Sequence, residues 1–136
     1  MTLTDTGPLV AMIDEGDKHH TRILAALATV RWPLVTTEAC LTETLYLLHS
    51  IAGWRGQNAL WQFVADNSLQ VLTPPQDAPL RARAYMDQYR DLPCDFADAT
   101  LLIAAEETGL SRIFTIDRHF YAYRFANGSV LEVIHI

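Results

Sequence analysis

Five acidic residues stand where a folded α/β domain could use them for chemistry: Asp5, Glu43, Asp95, Asp98 and Asp117. Asp5 and Asp117 each come directly after a short run of β-prone residues. Ligands of open parallel sheets bind beyond the carboxyl ends of the strands, so both aspartates are expected at that edge. Aspartate is also a common cap and turn residue, and each of the two, taken singly, is better explained in that way.

Glu43 lies within a predicted helix, on a stripe that it shares with Ala39, Cys40, Tyr46 and Leu47. An unpaired carboxylate on an apolar face costs several kcal/mol when it is desolvated. We therefore expect Glu43 to point inward and to meet a cation or line a wet cleft. The alternative is a glutamate at the edge of the stripe whose side chain reaches water.

Asp95 and Asp98 are three residues apart, and the same helical spacing continues to Leu102 and Ala105. This spacing predicts that both carboxylates face the core from the first turn of a helix. The structural alternative makes Asp95 the N-cap and places Asp98 near the positive end of the helix dipole. That alternative explains Asp95 well and Asp98 only partly.

Four or five carboxylates in one pocket repel one another and raise one another's pKa values unless a cation neutralises them. Ligand sets made only of oxygen select hard cations, so Mg²⁺ or Mn²⁺ is the expected cofactor. Such a metal can activate water and stabilise the charge that develops on a phosphodiester. The residues alone therefore indicate metal-assisted phosphodiester hydrolysis.

The elements that must position these acids alternate between β-prone runs and segments with helical apolar spacing, which predicts a three-layer α/β/α sandwich with a central, mostly parallel sheet. We expect one domain over residues 1–136. The predicted strands are Thr2–Thr4, Leu34–Thr36, Leu69–Leu72, Arg112–Ile116 and Val130–Ile136. The predicted helices are Pro8–Glu15, His20–Val30, Thr37–Ser50, Arg55–Asn67, Pro79–Tyr89 and Phe96–Thr108.

Composition narrows the function classes further. The net charge of -6 argues against a protein that holds nucleic acid by a broad basic surface, so any nucleic acid must be met locally. The two cysteines, Cys40 and Cys94, lie far apart in the sequence and indicate neither a disulfide framework nor a zinc site. No leader and no apolar run of about 20 residues is evident, so we expect a cytoplasmic protein without membrane insertion.

The order and spacing of the acids resemble those of a PIN domain, as found in VapC-like ribonuclease toxins, and the resemblance runs essentially from end to end. It is carried by the segments Asp5-Thr6-Gly7-Pro8-Leu9, Thr36-Thr37-Glu38 with Thr42-Glu43, Asp95-Phe96-Ala97-Asp98-Ala99 and Thr115-Ile116-Asp117. The resemblance implies that Asp5, Glu43, Asp98 and Asp117 form an acidic quartet that binds Mg²⁺ or Mn²⁺, with Asp95 as a supplementary acid.

The resemblance also implies an endoribonuclease that leaves 5′-phosphate and 3′-hydroxyl ends. It assigns Asp5 and Asp98 to direct metal contact, Asp117 to a second or water-mediated contact, and Glu43 to the attacking water. The implied partners are an RNA substrate, an antitoxin protein that blocks the cleft, and a second copy of the chain in a homodimer.

Residues beside the acids have more modest predicted roles. Thr6 is expected to support the site by hydrogen bonding, whereas Thr115 is favoured as a plain β-branched strand residue. Arg118 and His119, directly after Asp117, are the best-placed candidates for substrate phosphate contacts, although solvated surface residues are the commoner use of such positions. His19 and His20 are expected to form a surface pair at a helix start.

Two other hypotheses stay open. The first is a catalytically silent PIN-type module that binds RNA or protein and keeps its acids as structural caps. The second is a receiver-type phosphoacceptor domain, which ranks well below because no acidic pair follows the first strand and the only lysine, Lys18, is badly placed.

Overall fold

The central feature of the computed structural model, which describes residues 1–136, is one five-stranded sheet. All four strand pairs are parallel, and the spatial order is β3-β2-β1-β4-β5. The strands are β1 (Thr2–Thr4), β2 (Leu34–Thr37), β3 (Leu69–Leu72), β4 (Arg112–Phe114) and β5 (Glu132–Ile134). All five predicted strands are present, and the last two are shorter than the sequence predicts.

Five α-helices and one short 3₁₀ helix connect the strands. The α-helices are α1 (Thr6–Ile13), α2 (His20–Ala26), α3 (Glu38–Ala65), α4 (Ala78–Gln88) and α5 (Phe96–Thr108), and the 3₁₀ helix is Arg118–Tyr121. The prediction of two separate helices in the region of α3 is partly right. The helical hydrogen bonding continues through the region, but Gly53 has φ 59° and ψ −148° and divides it by a kink that favours glycine.

Local caps fix where the helices begin and end. The hydroxyl of Thr37 accepts a hydrogen bond from the Cys40 backbone N–H at 3.3 Å and so begins α3, as predicted. Gly109 ends α5 in the left-handed conformation with φ 73°.

Helices pack on both faces of the sheet around two separate cores. Alternate side chains of a strand point to opposite faces. Val35 and Ile113 belong to the core under α4 and α5, whereas their neighbours Leu34 and Phe114 belong to the core under α1 to α3. Full burial of each such side chain stabilises the fold by about 1.5–3 kcal/mol. The three-layer α/β/α architecture is therefore confirmed.

The sheet topology decides where the acids gather. The chain begins at the central strand β1, extends the sheet through β2 and β3 on one side, and adds β4 and β5 on the other. Leu3 and Thr4 pair with Ile113 and Phe114, so the carboxyl ends of β1 and β4 lie side by side. This is the edge at which open parallel sheets bind ligands. No helix combines the length and apolar character needed to cross a membrane.

Candidate functional site

Asp5 stands at the carboxyl end of the central strand with only 8% of its surface exposed. One carboxylate oxygen accepts a hydrogen bond from the Thr6 backbone N–H at 2.7 Å and caps α1, and the other accepts one from the Thr115 hydroxyl at 2.8 Å. Burial raises the pKa of Asp5 to about 6, against the lowering effect of these two hydrogen bonds. The charges of Asp117 and Glu43 raise this pKa further.

Thr115 joins the first and last acids of the site. Its hydroxyl donates to Asp5, and the same oxygen accepts a hydrogen bond from the Asp117 backbone N–H at 2.9 Å. The prediction that Thr115 is only a strand residue is therefore wrong, because β4 ends at Phe114 and the next side chain turns into the cleft. Thr115 fixes the relative position of the β1 and β4 ends.

Asp98 and Asp95 form a reciprocal capping box at the start of α5. The carboxylate of Asp95 accepts from the Asp98 N–H at 2.8 Å, and that of Asp98 accepts from the Asp95 N–H at 3.2 Å. Asp98 is 7% exposed and faces inward as predicted. The same prediction is wrong for Asp95, which is exposed, because an N-cap residue has extended backbone angles and leaves the helical periodicity.

Tyr123 reaches Asp98 from a distant part of the chain. Its hydroxyl lies 3.2 Å from Asp98 Oδ2 and 3.1 Å from the Pro93 carbonyl oxygen, with the ring buried. Burial raises the pKa of Asp98 to about 7, and the charges of Asp95 and Asp5 add to the rise. Sequence reasoning missed Tyr123, because no local spacing links residues 25 positions apart.

Glu43 lies at the rim of the cleft rather than inside it. The prediction of an inward glutamate is wrong, since its side chain is exposed and corresponds to the alternative at the edge of the apolar stripe. The Thr6 hydroxyl lies 3.4 Å from Glu43 Oε2, so the supporting hydrogen bond expected of Thr6 is present. Partial burial and the charge of Asp95 raise the pKa of Glu43.

Asp117 caps the 3₁₀ helix that follows β4. Its Oδ1 accepts from the His119 backbone N–H at 2.9 Å, and the His119 ring Nδ1 lies 2.9 Å from the same oxygen. Arg118 is exposed, and together with Asp117 it lines a small pocket. The sequence predicts His119 beside Asp117 as a substrate phosphate contact, and its contact with the Asp117 carboxylate was not predicted.

The negative charge of each acid raises the pKa of at least one of its neighbours. The charges of Asp117 and Glu43 act on Asp5, and those of Asp95, Asp5 and Asp117 act on Asp98. No group of three or more His, Cys, Asp or Glu side chains has the arrangement of a metal-binding cluster. The carboxylates therefore lie close enough at this edge of the sheet to repel one another, without forming a closed shell of ligands.

The two cysteines offer no nucleophile beside the acids. Both are free and buried, and no disulfide joins them. Burial, followed by the nearby charge of Asp5, raises the pKa of the Cys40 thiol to about 12. A thiol with a raised pKa stays protonated near neutral pH, which argues against thiolate chemistry at Cys40.

The fold and the acidic edge define a family. The chain belongs to the PIN domain family, whose sequence profile matches residues 2–126. No curated protein sequence matched the chain.

Solved structures share the fold at low sequence identity. The crystal structure of VapC20 from Mycobacterium tuberculosis, described as a sarcin-ricin loop cleaving toxin, is 22% identical with a TM-score of 0.81, over 90% of this chain and 94% of that one. A toxin-antitoxin complex from Klebsiella pneumoniae is 17% identical with a TM-score of 0.62, over 86% and 87%. VapBC2 from Rickettsia felis, bound to a promoter DNA fragment, is 14% identical with a TM-score of 0.60, over 97% of both chains.

Proposed function

We propose that the protein is an endoribonuclease that hydrolyses RNA phosphodiester bonds at the cleft lined by Asp5, Glu43, Asp98 and Asp117. The observation that carries this proposal is the convergence of four carboxylates from four separate parts of the chain. Asp5 and Asp98 are buried, and their charges repel. A structural cap does not need this costly charge, because asparagine or serine caps a helix as well. Membership of the PIN domain family supports the proposal.

The donor set fits a hard divalent cation. Every candidate ligand atom is a carboxylate oxygen, which favours Mg²⁺ or Mn²⁺ over softer metals. We assign Asp5 and Asp98 to direct contact, Asp117 to a second or water-mediated contact, and Asp95 to a supplementary position. A bound cation would supply charge neutralisation at the phosphate and polarisation of water.

The protein's own residues would activate the water and position the acids. Glu43, exposed at the rim and held by Thr6, is assigned to orient the attacking water and accept its proton. Thr115 keeps Asp5 and Asp117 in register through its two hydrogen bonds. Tyr123 donates to Asp98 Oδ2, the carboxylate oxygen that also accepts the Asp95 N–H of the capping box.

Cleavage of a mixed RNA pool by the full chain in EDTA, Mg²⁺ or Mn²⁺ tests the proposal. Asp98→Asn and Glu43→Gln should fold and lose cleavage, whereas the exposed controls Asp91→Asn and Glu15→Gln should retain it. The products should carry 5′-phosphate and 3′-hydroxyl ends. An inactive wild type, or full activity in folded Asp98→Asn, contradicts the proposal.

One observation favours a second candidate, the silent RNA-binding or protein-interaction module. Asp5, Asp95 and Asp117 each cap a helix, so their hydrogen bonds have a structural use without catalysis. The same assay separates the two candidates. RNA binding that survives in Asp98→Asn, with no cleavage by wild type at any metal concentration, supports the module.

We further propose that the enzyme is the toxin of a toxin-antitoxin pair, because structural neighbours include a VapC toxin and two toxin-antitoxin complexes. A largely apolar groove of about 700 Å³ lies between α3, α5 and the segment after β3. Its charged lining residues are Glu38 and Glu107, which suits a basic amphipathic peptide of the antitoxin. Co-purification with the product of a small neighbouring reading frame tests this, and Glu38→Lys should weaken the complex while the surface control Glu15→Lys should not.

A homodimer is the remaining proposed partner state. The exposed apolar side chains of α3 form a stripe suited to a second copy. Its members are Tyr46, Leu47, Ile51, Trp54 and Trp61. Light scattering should report a dimer that Trp54→Lys converts to monomer, whereas Leu80→Lys, at an exposed apolar site on another helix, should leave the dimer intact.

A further inference from the structure

Two cavities lie on opposite sides of the acidic cleft and differ in charge. The apolar groove on the β3 side contains Glu38 and Glu107 and no Lys, Arg or His among its lining residues. The other cavity, on the β5 side, has a volume of about 210 Å³ and shares Thr115 and Asp117 with the candidate active site. Glu107 is paired with Arg81, so Glu38 is the charged lining residue of that groove without an ion pair. A polyanion leaving the acids therefore meets an unpaired acid and no base on one side, and a different environment on the other.

The β5-side pocket collects basic side chains from three separate parts of the chain. His19 and Arg22 come from the start of α2, Arg118 follows Asp117, and His135 follows β5. This grouping runs against the overall net charge of -6. The guanidinium of Arg22 already points to this edge, since it donates to the Ile136 backbone oxygen at 2.5 Å and has further N–H groups to offer.

The single acidic side chain that lines the pocket is already engaged. Asp117 Oδ1 accepts from the His119 backbone N–H and lies 2.9 Å from the His119 ring nitrogen. These contacts partly offset its charge toward a neighbouring anion. Two guanidinium groups therefore face a pocket in which the one acid is paired.

An aromatic surface completes the pocket. The rings of Tyr121 and His135 are 5.9 Å apart at 32°, and the Tyr121 hydroxyl lies 3.0 Å from His135 Nδ1. Tyr121 is 47% exposed. Flat rings fixed by a mutual hydrogen bond and open to solvent suit stacking with an unpaired base.

We propose that this pocket binds the RNA nucleotide adjacent to the scissile phosphate, with its phosphate on Arg22 and Arg118 and its base against Tyr121. The RNA strand then leaves the acidic cleft over the β5 edge of the sheet and not through the β3-side groove. This inference rests on the proposed ribonuclease function and adds the substrate path to it.

Binding of a fluorescein-labelled single-stranded RNA to the full chain in EDTA, over a salt series, tests the proposal without cleavage. Arg22→Gln and Arg118→Gln should each lower the slope of log affinity against log salt by about 0.7. Tyr121→Leu should weaken affinity about five- to one-hundred-fold with the slope unchanged. The exposed arginine controls Arg55→Gln and Arg83→Gln should match wild type.

RNA cleavage with Mg²⁺ or Mn²⁺, measured on the same variants, separates the proposed ribonuclease function from the proposed nucleotide pocket. If wild type cleaves and the pocket variants bind like the arginine controls, the pocket is overturned while the ribonuclease stands. Tighter binding in Glu38→Gln together with weaker binding in Phe96→Leu instead places the RNA in the other groove and also overturns the proposal. A wild type that neither binds nor cleaves RNA removes both inferences, and thermal melts confirm that each variant is folded.

Discussion

Replacing Asp98 by asparagine should stabilise the metal-free protein while it abolishes cleavage. The side chain is buried, and its charge is opposed by Asp95, Asp5 and Asp117. Asparagine has nearly the same shape, and its carbonyl oxygen can still accept the hydrogen bonds from Tyr123 and the Asp95 N–H. The substitution therefore removes the repulsion and keeps the packing.

The magnitude follows from the pKa of Asp98, which is about 7 in the fold against an ordinary 3.8. This difference corresponds to an upper limit of about 4 kcal/mol of destabilisation at pH 8. Neighbouring carboxylates share the repulsion, and the asparagine buries an amide nitrogen in exchange. We expect a net gain of about 1–3 kcal/mol, or roughly 3–5 °C in Tm per kcal/mol.

The pH dependence fixes the sign of the effect. Below pH 4 the Asp98 carboxyl is protonated in both the folded and the unfolded chain and contributes nothing. Between pH 4 and 7 the unfolded chain ionises while the fold resists ionisation, so wild type loses stability as the pH rises. The asparagine variant lacks this contribution, and the two stability curves should meet near pH 4 and separate by pH 8.

Urea denaturation followed by circular dichroism in EDTA, from pH 4 to pH 8, measures both curves. Asp91→Asn, an exposed site, serves as the matched control and should follow wild type. Added Mg²⁺ or Mn²⁺ should stabilise wild type in proportion to its binding and should stabilise Asp98→Asn much less. A variant that is less stable than wild type at pH 8, or that keeps the full slope between pH 4 and 7, refutes the reasoning.

Three other substitutions test single contacts. Thr115→Val removes the hydroxyl that bonds Asp5; it should cost about 1–2 kcal/mol in urea denaturation and reduce RNA cleavage, and unchanged cleavage would argue against a positioning role. Gly7→Ala should cost about 1–3 kcal/mol because its Cβ would lie 2.6 Å from Ile116 Cγ1. The same substitution made in an Ile116→Ala background should cost much less than in wild type, and an equal cost in the two backgrounds would contradict the clash. Tyr123→Phe should lower the cleavage rate while changing Tm by only a few degrees, and an unaltered rate would show that the hydroxyl does not position the buried carboxylate of α5.

The sequence was sufficient to predict the layers and the location of the acids. Apolar periodicity and β-branched runs are local signals, so all five strands and most helices lie close to their predicted positions. The division of α3 was visible as an interruption, and Gly53 is its physical cause. Asp5 and Asp117 could be placed at one edge because the ends of parallel strands share that edge.

The predictions failed where a side chain's direction depends on distant neighbours. Glu43 opens to solvent at the cleft rim, although its helical stripe is apolar. Thr115 carries a hydrogen bond to a residue 110 positions away, and Tyr123 one to a residue 25 positions away. Such pairings depend on how the strands are ordered in the sheet, which no window of sequence contains.

The position of β1 at the centre of the sheet has a consequence for synthesis. The strand is made first, yet one of its two neighbours, β4, is made more than a hundred residues later. A nascent chain that stops before β4 holds Asp5 without Thr115 and Asp117, and its central strand has one open edge. The acidic cleft therefore cannot assemble before the chain has been made as far as Asp117. Synthesis itself would delay the proposed activity until four of the five strands have been made.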